Sequence, residues 1–196
     1  EMCIRDRAAE QLVGLEPETP TVAVTADGVL RAPLYAGELT ASMAFDVLSM
    51  GVGEDGSAGF PLVSCYLTGK ELRAVAEVDA SVTPLMPAAQ LYTAGMSYSF
   101  NTHRLPFNRV TGVWLTGEKT TVLSEKHTET EIWKNDLEDD RLYRVVTGMY
   151  SAQMLDTVKD RSFGLLSIVP KDERGEPVTD FFQRILRDRN GNETKE

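Results

Sequence analysis

The clearest feature of the hydrophobic pattern is an apolar run that passes directly into helical spacing. Residues 62–67 read Leu-Val-Ser-Cys-Tyr-Leu, which has the length and composition of a buried strand. Thr68 and Gly69 then begin a segment in which apolar residues recur at helical intervals: Leu72, Val75 and Ala76. The pattern predicts a buried strand that turns at Thr68 into an amphipathic helix.

The polar positions of this helix predict its orientation and its end. Helical spacing places three charged residues on the side opposite the apolar one: Lys70, Arg73 and Glu77. Pro84 follows soon after, and the residue before a proline is disfavoured in helical conformation. We therefore predict a helix that ends near residues 82–84 and points Glu77 away from the core.

Further runs of apolar and β-branched residues predict the remaining elements. Strands are expected at residues 21–25, 96–100, 109–115, 142–147 and 165–169. Helices are expected at residues 8–15, in a short segment capped by Thr40, and at residues 150–158 and 178–187. Residues 125–140 are rich in charge and are interpreted as a connection that contains Trp133.

The irregular order of these elements predicts the fold class. Two β-rich stretches interrupt the alternation of strands and helices, and no segment repeats at a fixed period. A regular doubly wound sheet is therefore disfavoured. We predict an α+β fold in which a mixed sheet packs against helices.

The expected domain spans residues 21–189, followed by a disordered tail at residues 190–196. Residues 16–20, Glu-Pro-Glu-Thr-Pro, resist regular structure and are typical of a linker. The first seven residues, Glu-Met-Cys-Ile-Arg-Asp-Arg, resemble adapter sequence carried into an assembled gene. Residues 1–20 are therefore expected to be a non-native or linker N-terminus, and the parent protein is expected to extend further in that direction.

Composition and charge limit the classes of partner. The chain has 196 residues, of which 42% are hydrophobic and 26% charged, as expected for one domain with a buried core. Its formal net charge of −10 opposes binding to a phosphate backbone, so nucleic acid is not an expected partner. No apolar run approaches the roughly 20 residues of a membrane helix, so no membrane span is expected.

The side chains that usually carry catalysis are sparse. His103 and His127 each lie in a polar context without a second histidine nearby, and they are interpreted as surface residues. Cys3 and Cys65 lack a metal-ligand spacing, and Cys65 is interpreted as a small buried apolar residue. No nucleophile elbow or phosphate-binding glycine loop occurs. The sequence predicts no catalytic residue, no metal ligand and no cofactor in this chain.

One acidic cluster has two interpretations. Residues 136–140, Asp-Leu-Glu-Asp-Asp, contain enough carboxylates to hold calcium weakly. They lack the alternating ligand pattern of a calcium loop, which favours a solvated charged turn.

Two positions have both a functional and an ordinary interpretation on local grounds. Residues 25–31 end a predicted strand in a glycine turn, where backbone amides and the Arg31 guanidinium can together hold a phosphate or carboxylate. The alternative is a common turn followed by a surface arginine. Phe163, between a predicted helix and strand, either stacks on a planar ligand or closes the end of the core.

Four short motifs, in this order, resemble the C-terminal domain of the 5'-nucleotidase family. Residues 26–31, Ala-Asp-Gly-Val-Leu-Arg, resemble its Asn-x-Gly-Gly-Ile-Arg turn, and residues 37–40, Gly-Glu-Leu-Thr, resemble its Gly-x-Ile-Thr segment. Residues 67–72, Leu-Thr-Gly-Lys-Glu-Leu, are similar to its strand–Thr-Gly–helix joint. Residues 143–147, Tyr-Arg-Val-Val-Thr, resemble its late strand, so that the resemblance covers about residues 21–169.

This resemblance implies a two-domain parent protein. In the family, an upstream metallophosphoesterase domain binds two divalent metals, and metal-bound hydroxide attacks the phosphorus. The C-terminal domain holds the nucleoside part of the substrate between aromatic side chains. The Asp-x-His and Gly-Asn-His-Glu motifs of the catalytic domain do not occur in this sequence. The implied partners are the upstream domain and a nucleotide or other phosphate ester, and this chain alone is expected to be inactive.

The resemblance also implies three substrate-binding residues that converge on one cleft. Arg31 falls on the arginine of the family turn, whereas Ala26 stands where the family has asparagine. Met50, in Ser-Met-Gly-Val, stands where the family motif Pro-Phe-Gly-Asn has its stacking phenylalanine. Phe163 is expected to replace the aromatic residue of a late loop. Methionine can contact a ring face, but it is a poorer stacking surface than phenylalanine.

Three functions remain open at this point. The leading hypothesis is the substrate-recognition domain of a nucleotidase-type hydrolase that acts in nucleotide or phosphate-ester breakdown. The alternative is a non-catalytic interaction or structural module of the same fold, and the third hypothesis is a stand-alone enzyme. Because members of the family are commonly exported, the resemblance implies an extracellular or cell-surface location.

Overall fold

The computed structural model of the chain describes residues 21–49, 51–52, 56, 59–124, 127–161, 164–187 and 190–193. Its strands are β1 Thr21–Ala26, β2 Leu62–Thr68, β3 Leu91–Ala94, β4 Met96–Phe100, β5 Val110–Ser124, β6 His127–Asp136 and β7 Leu142–Gly148. Its helices are α1 Ala41–Val47, α2 Gly69–Val82 and α3 Met149–Arg161, with 3₁₀ turns at Asp27–Val29, Pro87–Ala89 and Phe181–Arg184.

The larger of two sheets is mixed and has the strand order β2-β7-β1-β3. β1 runs parallel to β7, whereas β2 pairs antiparallel with β7 and β3 pairs antiparallel with β1. The smaller sheet, β4-β5-β6, is antiparallel throughout. The predicted α+β class with a mixed sheet is confirmed.

The main core lies where the two sheets meet α2. Its buried residues come from both sheets, from one side of the helix, from the turn after β6 and from the segment after α3: Val22, Val24, Cys65, Leu67, Leu72, Val75, Ala76, Met96, Val113, Leu115, Leu137, Tyr143, Val145 and Ile168. The apolar positions predicted for α2 therefore pack as expected, and so does Cys65, which is fully buried.

The joint between β2 and α2 has the predicted form. The Thr68 hydroxyl accepts a hydrogen bond from the backbone N–H of Glu71, and the Glu71 carboxylate accepts one from the backbone N–H of Thr68, which completes a capping box. At Gly69 a Cβ would overlap the backbone oxygen of Glu138. Only glycine fits this close approach of two backbone segments.

The prediction that Glu77 faces away from the core is wrong. Its residue surface is 6% exposed. One carboxylate oxygen accepts hydrogen bonds from the Ser81 hydroxyl and the Arg109 backbone N–H, each at 2.7 Å, and the other accepts from the Val110 backbone N–H at 2.8 Å. The start of β5 lies against α2, and its N–H groups satisfy the buried charge.

The prediction that residues 125–140 form a connection is also wrong, because residues 127–136 form β6. β5 pairs with β4 only up to Leu115, and it continues with β6 as a two-stranded ribbon to Ser124. A two-stranded ribbon has no face that must be buried against a third element, so its sequence needs no apolar run. This explains why a charge-rich segment forms a strand.

After α3 the chain forms a C-terminal strap, defined as residues 164–187, along the outer edge of β2. Lys171 pairs with Tyr66, and Ile185 pairs with Val63. The Leu186 backbone N–H also donates to the Leu62 carbonyl at 2.8 Å. The strap thereby covers an edge strand that would otherwise present unpaired backbone groups.

Two element predictions fail within the strap. Residues 165–169 do not form a strand, although Leu166 and Ile168 are buried. Residues 178–187 contain the 3₁₀ turn Phe181–Arg184 in place of the predicted helix. Contacts with β2 determine the conformation of this segment. These contacts are made with a distant part of the chain, so the local pattern of apolar residues does not predict them. The predicted helix at residues 8–15 lies outside the described residues, and the domain limits and the tail at residues 190–196 stay predictions.

Candidate functional site

The turn that contains Arg31, defined as residues 27–31 and called the Arg31 turn, follows β1 at one end of the larger sheet. Ala23 is level with Val146 in the parallel pair β1–β7, so the end of β1 is level with the start of α3. β2 begins at this same end, because Leu62 pairs with Gly148. The ends of parallel strands and the adjoining loops are where ligands bind in many mixed α/β sheets.

The backbone of the Arg31 turn is held by hydrogen bonds on both sides. The Asp27 backbone N–H donates to the Gln90 carbonyl at 2.8 Å, and the Tyr92 hydroxyl donates to the Asp27 carboxylate at 2.9 Å. The Arg31 backbone N–H donates to the Val47 carbonyl at 2.7 Å, which ties the turn to the end of α1. The position of the Arg31 backbone is therefore fixed by β3 and α1.

The Arg31 side chain is exposed, and it forms no hydrogen bond or ion pair with another residue that the structure describes. A guanidinium on a fixed backbone and free of an internal carboxylate can bind an oxyanion with two parallel hydrogen bonds. The predicted anion-binding interpretation of this turn is chemically possible, and its role stays a prediction.

The segment that follows Arg31 exposes several large apolar side chains. α1 begins after Thr40, whose hydroxyl accepts from the Met43 backbone N–H at 3.2 Å, as predicted for its N-cap. This helix contains no buried residue. Between residues 30 and 45, five large apolar residues are about half exposed or more: Leu30, Leu34, Tyr35, Leu39 and Phe45. An apolar surface of this kind is characteristic of an interaction site.

An aromatic pair that the sequence analysis did not predict lies at the same end of the sheet. The rings of Phe60 and Tyr150 have centroids 5.8 Å apart at an interplanar angle of 32°. A Cβ at Gly51 would lie 2.8 Å from the Phe60 ring, so Gly51 lies directly against Phe60. The Met149 backbone N–H donates to the Pro61 carbonyl, which joins the two segments. The only signal in the sequence was the aromatic type of each residue.

The other two predicted substrate-binding residues, Met50 and Phe163, lie outside the described residues. Their predicted convergence with Arg31 therefore stays a prediction. Because Gly51 contacts Phe60, the chain next to Met50 reaches the end of the sheet at which Arg31 lies.

The acidic segment at residues 136–140 lies in a turn between β6 and β7. Its carboxylates are exposed, and two of them pair with arginines: Asp139 with Arg73 at 3.1 Å, and Glu138 with Arg141 at 3.2 Å. In the part of the chain that the structure describes, no three histidine, cysteine or carboxylate side chains cluster as metal ligands would. The geometry fits the solvated-turn interpretation of this segment.

The strongest pKa shifts among the described residues have structural causes. Burial, together with the hydrogen bond from its hydroxyl to Asp79, raises the pKa of Tyr98. Burial also raises the pKa of Cys65 to about 12. Cys65 belongs to the main core, and Tyr98 packs against it.

Comparison with known proteins identifies the family. Residues 7–159 match the family described as 5'-nucleotidase, C-terminal domain. The 5'-nucleotidase precursor from Thermus thermophilus is similar in structure, with a TM-score of 0.58 and 24% identity over 89% of this chain. The NAD nucleotidase from Haemophilus influenzae has a TM-score of 0.50 and 21% identity over 81% of this chain. No curated protein sequence matches the chain.

The similarity to these structures concerns the fold, and it covers a minor part of each. The matched region is 29% of the Thermus chain and 25% of the Haemophilus chain. None of the helices that the structure describes is long and apolar enough to cross a membrane. The match to the family extends over most of this sequence and includes all four motifs that carried the resemblance. The chain therefore belongs to the 5'-nucleotidase C-terminal domain family.

Proposed function

We propose that this chain is the substrate-recognition domain of a two-domain hydrolase that cleaves nucleotides or related phosphate esters. An upstream metallophosphoesterase domain would bind two divalent metals and perform the hydrolysis. The observation that carries the proposal is the exposed Arg31 guanidinium on a backbone fixed at the end of β1.

Arg31 is suited to hold an anionic or carbonyl group of the substrate. Its backbone is fixed by the hydrogen bond to Val47, so little ordering is needed in the turn when a ligand binds. The guanidinium offers a planar set of donors that matches a phosphate or carboxylate. A charge-assisted hydrogen bond of this type contributes about 1.5–3 kcal/mol.

The apolar part of the substrate would bind close to the loop that contains Met50. Gly51 rests on the Phe60 ring, and Phe60 contacts Tyr150. The two rings contact each other directly, which leaves no space for a base between them. A base would therefore lie against an outer face of this pair, with Met50 and Phe163 as the further contacts that the family resemblance implies.

The exposed apolar residues between positions 30 and 45 would face the upstream domain. They include Tyr35, which is 71% exposed, and Leu34 and Leu39, which are each 55% exposed. A partner domain that covers them would also enclose Arg31 at the interface. On the family resemblance alone, we place the parent protein at the cell surface or outside the cell.

Titration of the chain with adenosine 5'-monophosphate, adenosine and inorganic phosphate tests the proposal. Calorimetry or amide NMR shifts would give the dissociation constants. Replacing Arg31 by alanine should weaken nucleotide binding by at least about tenfold, the equivalent of about 1.4 kcal/mol. Met50→Ala and Phe163→Ala should weaken the binding of adenosine as well, since both are expected to contact the base.

Arg174→Ala provides a matched control for the Arg31 variant. Arg174 is exposed in the turn before Gly175. A Cβ at Gly175 would lie 3.7 Å from the Leu142 side chain at the start of β7, so this turn lies at the opposite end of the sheet. Its removal should leave nucleotide binding unchanged. Equal loss in both arginine variants, or no binding of any of the three ligands, would contradict the recognition role.

A non-catalytic interaction module is the second candidate function. Ala26 in place of the family asparagine removes one amide from the recognition turn, and the apolar surface around α1 is suited to protein contacts. This candidate predicts that Tyr35→Ser abolishes binding to a partner protein. It also predicts that none of the nucleotide ligands shifts the melting temperature of the chain.

A further inference from the structure

The C-terminal strap has few backbone links to β2, and its buried side-chain contribution to the main core is Ile168. Backbone pairing occurs at Lys171 with Tyr66 and at Ile185 with Val63, with one more hydrogen bond from Leu186. The residues matched by the family end at 159, so the strap lies beyond them. Segments with few backbone links to the rest of a fold often open without global unfolding.

One carboxylate links the strap to the body of the domain. Glu71, in the first turn of α2, accepts hydrogen bonds from the Lys171 ammonium at 2.5 Å and from the Val169 backbone N–H at 3.1 Å. The side chains of Glu71 and Lys171 are 11% and 18% exposed. Removing one partner of a charge pair this far removed from water leaves the other charge uncompensated, which is strongly destabilising.

The same carboxylate also completes the cap of α2 through Thr68. Besides Lys171, the charged or titratable groups near Glu71 are the buried Cys65 thiol and, close to that thiol, the Arg184 guanidinium. Burial acts to raise the pKa of Glu71, but the hydrogen bonds from Lys171, Thr68 and Val169 lower it overall. Glu71 therefore remains ionised at neutral pH and loses its charge only in acid.

The β2 edge that the strap covers can pair with an extended segment that supplies backbone hydrogen-bonding groups and apolar side chains. The strap presents backbone groups at Lys171 and Ile185 to β2, and it buries Leu166, Ile168 and Leu186. A second copy of the chain carries the same segment. If the strap leaves β2, the strap of a neighbouring copy can occupy the vacated edge with identical contacts, as in domain swapping.

We propose that the Glu71–Lys171 pair is a latch, and that the strap leaves β2 while α2 stays folded when the latch is broken. The exposed β2 edge then pairs with the strap of a second copy. This conformational device does not depend on nucleotide recognition. It controls self-association through an edge strand that is covered in the closed state.

Replacing Lys171 by methionine breaks the latch while leaving the Thr68–Glu71 cap in place. At low protein concentration, where the monomer predominates, the backbone N–H groups of Tyr66, Lys171 and Leu186 should exchange with deuterium at least about tenfold faster than in the unmodified chain. The N–H groups of Leu72 and Val75 in α2 should keep their rates. Sedimentation should show a dimer whose fraction rises with protein concentration.

Lys70→Met is the matched control, because Lys70 is an exposed lysine next to Glu71. It should change neither the exchange rates nor the sedimentation. Unchanged exchange at Tyr66 and Leu186 in Lys171→Met would exclude the latch, and an equal increase in α2 would show a single cooperative unit. Faster exchange without a dimer would exclude pairing with a second copy.

The unmodified chain supplies a second measurement if the variant does not fold. Acidification protonates Glu71, whose pKa lies below its ordinary value, so lowering the pH from 7 to about 3 should accelerate exchange in the strap before it does so in α2, after correction for the intrinsic pH dependence of exchange. Simultaneous acceleration of both would overturn the proposal.

Discussion

At the scale of single residues, buried carboxylates organise contacts that the sequence pattern did not predict. A helical wheel considers only neighbours within the helix, and it therefore predicts that Glu77 lies on the outer side of α2. Its partners Arg109 and Val110 lie more than thirty residues away along the chain. The start of a strand supplies backbone donors whatever its sequence, so no pattern of residue types could have indicated them.

Glu77→Ala should lower the free energy of unfolding by about 3 kcal/mol, because the Ser81 hydroxyl and two backbone N–H groups would be left without their acceptor. Urea denaturation would measure the change. Glu176→Ala, at an exposed position, should alter stability by no more than about 0.5 kcal/mol. Similar effects in the two variants would contradict the role given to Glu77.

At the same scale, the local structure around Arg31 could be predicted from the sequence, whereas its role in binding stays a prediction. Arg31 was predicted from a strand, a glycine turn and a cation in sequence, and the structure has this local order. Phe60 and Tyr150 were missed because they are ninety residues apart and meet only through the pairing of β2 with β7. The register of the β2–β7 pair brings the two rings together, and this register cannot be read from a single sequence.

At the scale of elements, the joint between β2 and α2 was the most predictable part of the fold. A continuous apolar strand, a capping threonine and an amphipathic helix all indicate the same structure, and such agreement between local signals makes a prediction dependable. The sequence does not predict β6, because a strand in a two-stranded ribbon needs no apolar run and so carries no such set of agreeing signals. The strap was misassigned because contacts along β2 determine its conformation.

Gly69→Ala tests the close approach at this joint. Alanine favours helix, but its Cβ would overlap the Glu138 carbonyl oxygen. The backbone must shift, so we expect the free energy of unfolding to fall by about 2 kcal/mol. Lys70→Ala, one position further on, should have an effect below about 0.5 kcal/mol. Increased stability in Gly69→Ala, measured by thermal denaturation, would mean that the two segments separate easily.

At the scale of the whole molecule, the acidic composition and the carboxylate pairs give the fold a pH dependence of known sign. Hydrogen bonds from Lys171, Thr68 and Val169 outweigh burial and lower the pKa of Glu71 below its ordinary value of 4.5. The Arg184 hydrogen bond lowers the pKa of Glu173, and backbone hydrogen bonds lower that of Asp172. A carboxyl whose pKa is lower in the folded state binds its proton more readily when the chain is unfolded.

The melting temperature should therefore be nearly constant from about pH 7 to pH 5 and fall as the pH decreases through about 4.5 and below. Scanning calorimetry across this range would measure the change. Glu71→Gln should reduce the slope, since one of the contributing carboxylates is removed. A melting temperature that rises as the pH is lowered from 5 to 3 would contradict the assignment of these pairs.

The buried thiol at Cys65 offers a way to observe motions of the core in time. It is fully buried, and its pKa of about 12 leaves almost none of it as the nucleophilic thiolate at neutral pH. In a Cys3→Ser background, a disulfide reagent would modify Cys65 only in molecules that have opened around it. The rate at which the reagent releases its coloured thiolate would then report the rate at which the core opens. A cysteine introduced at an exposed position could also carry a probe while Cys65 stays unlabelled.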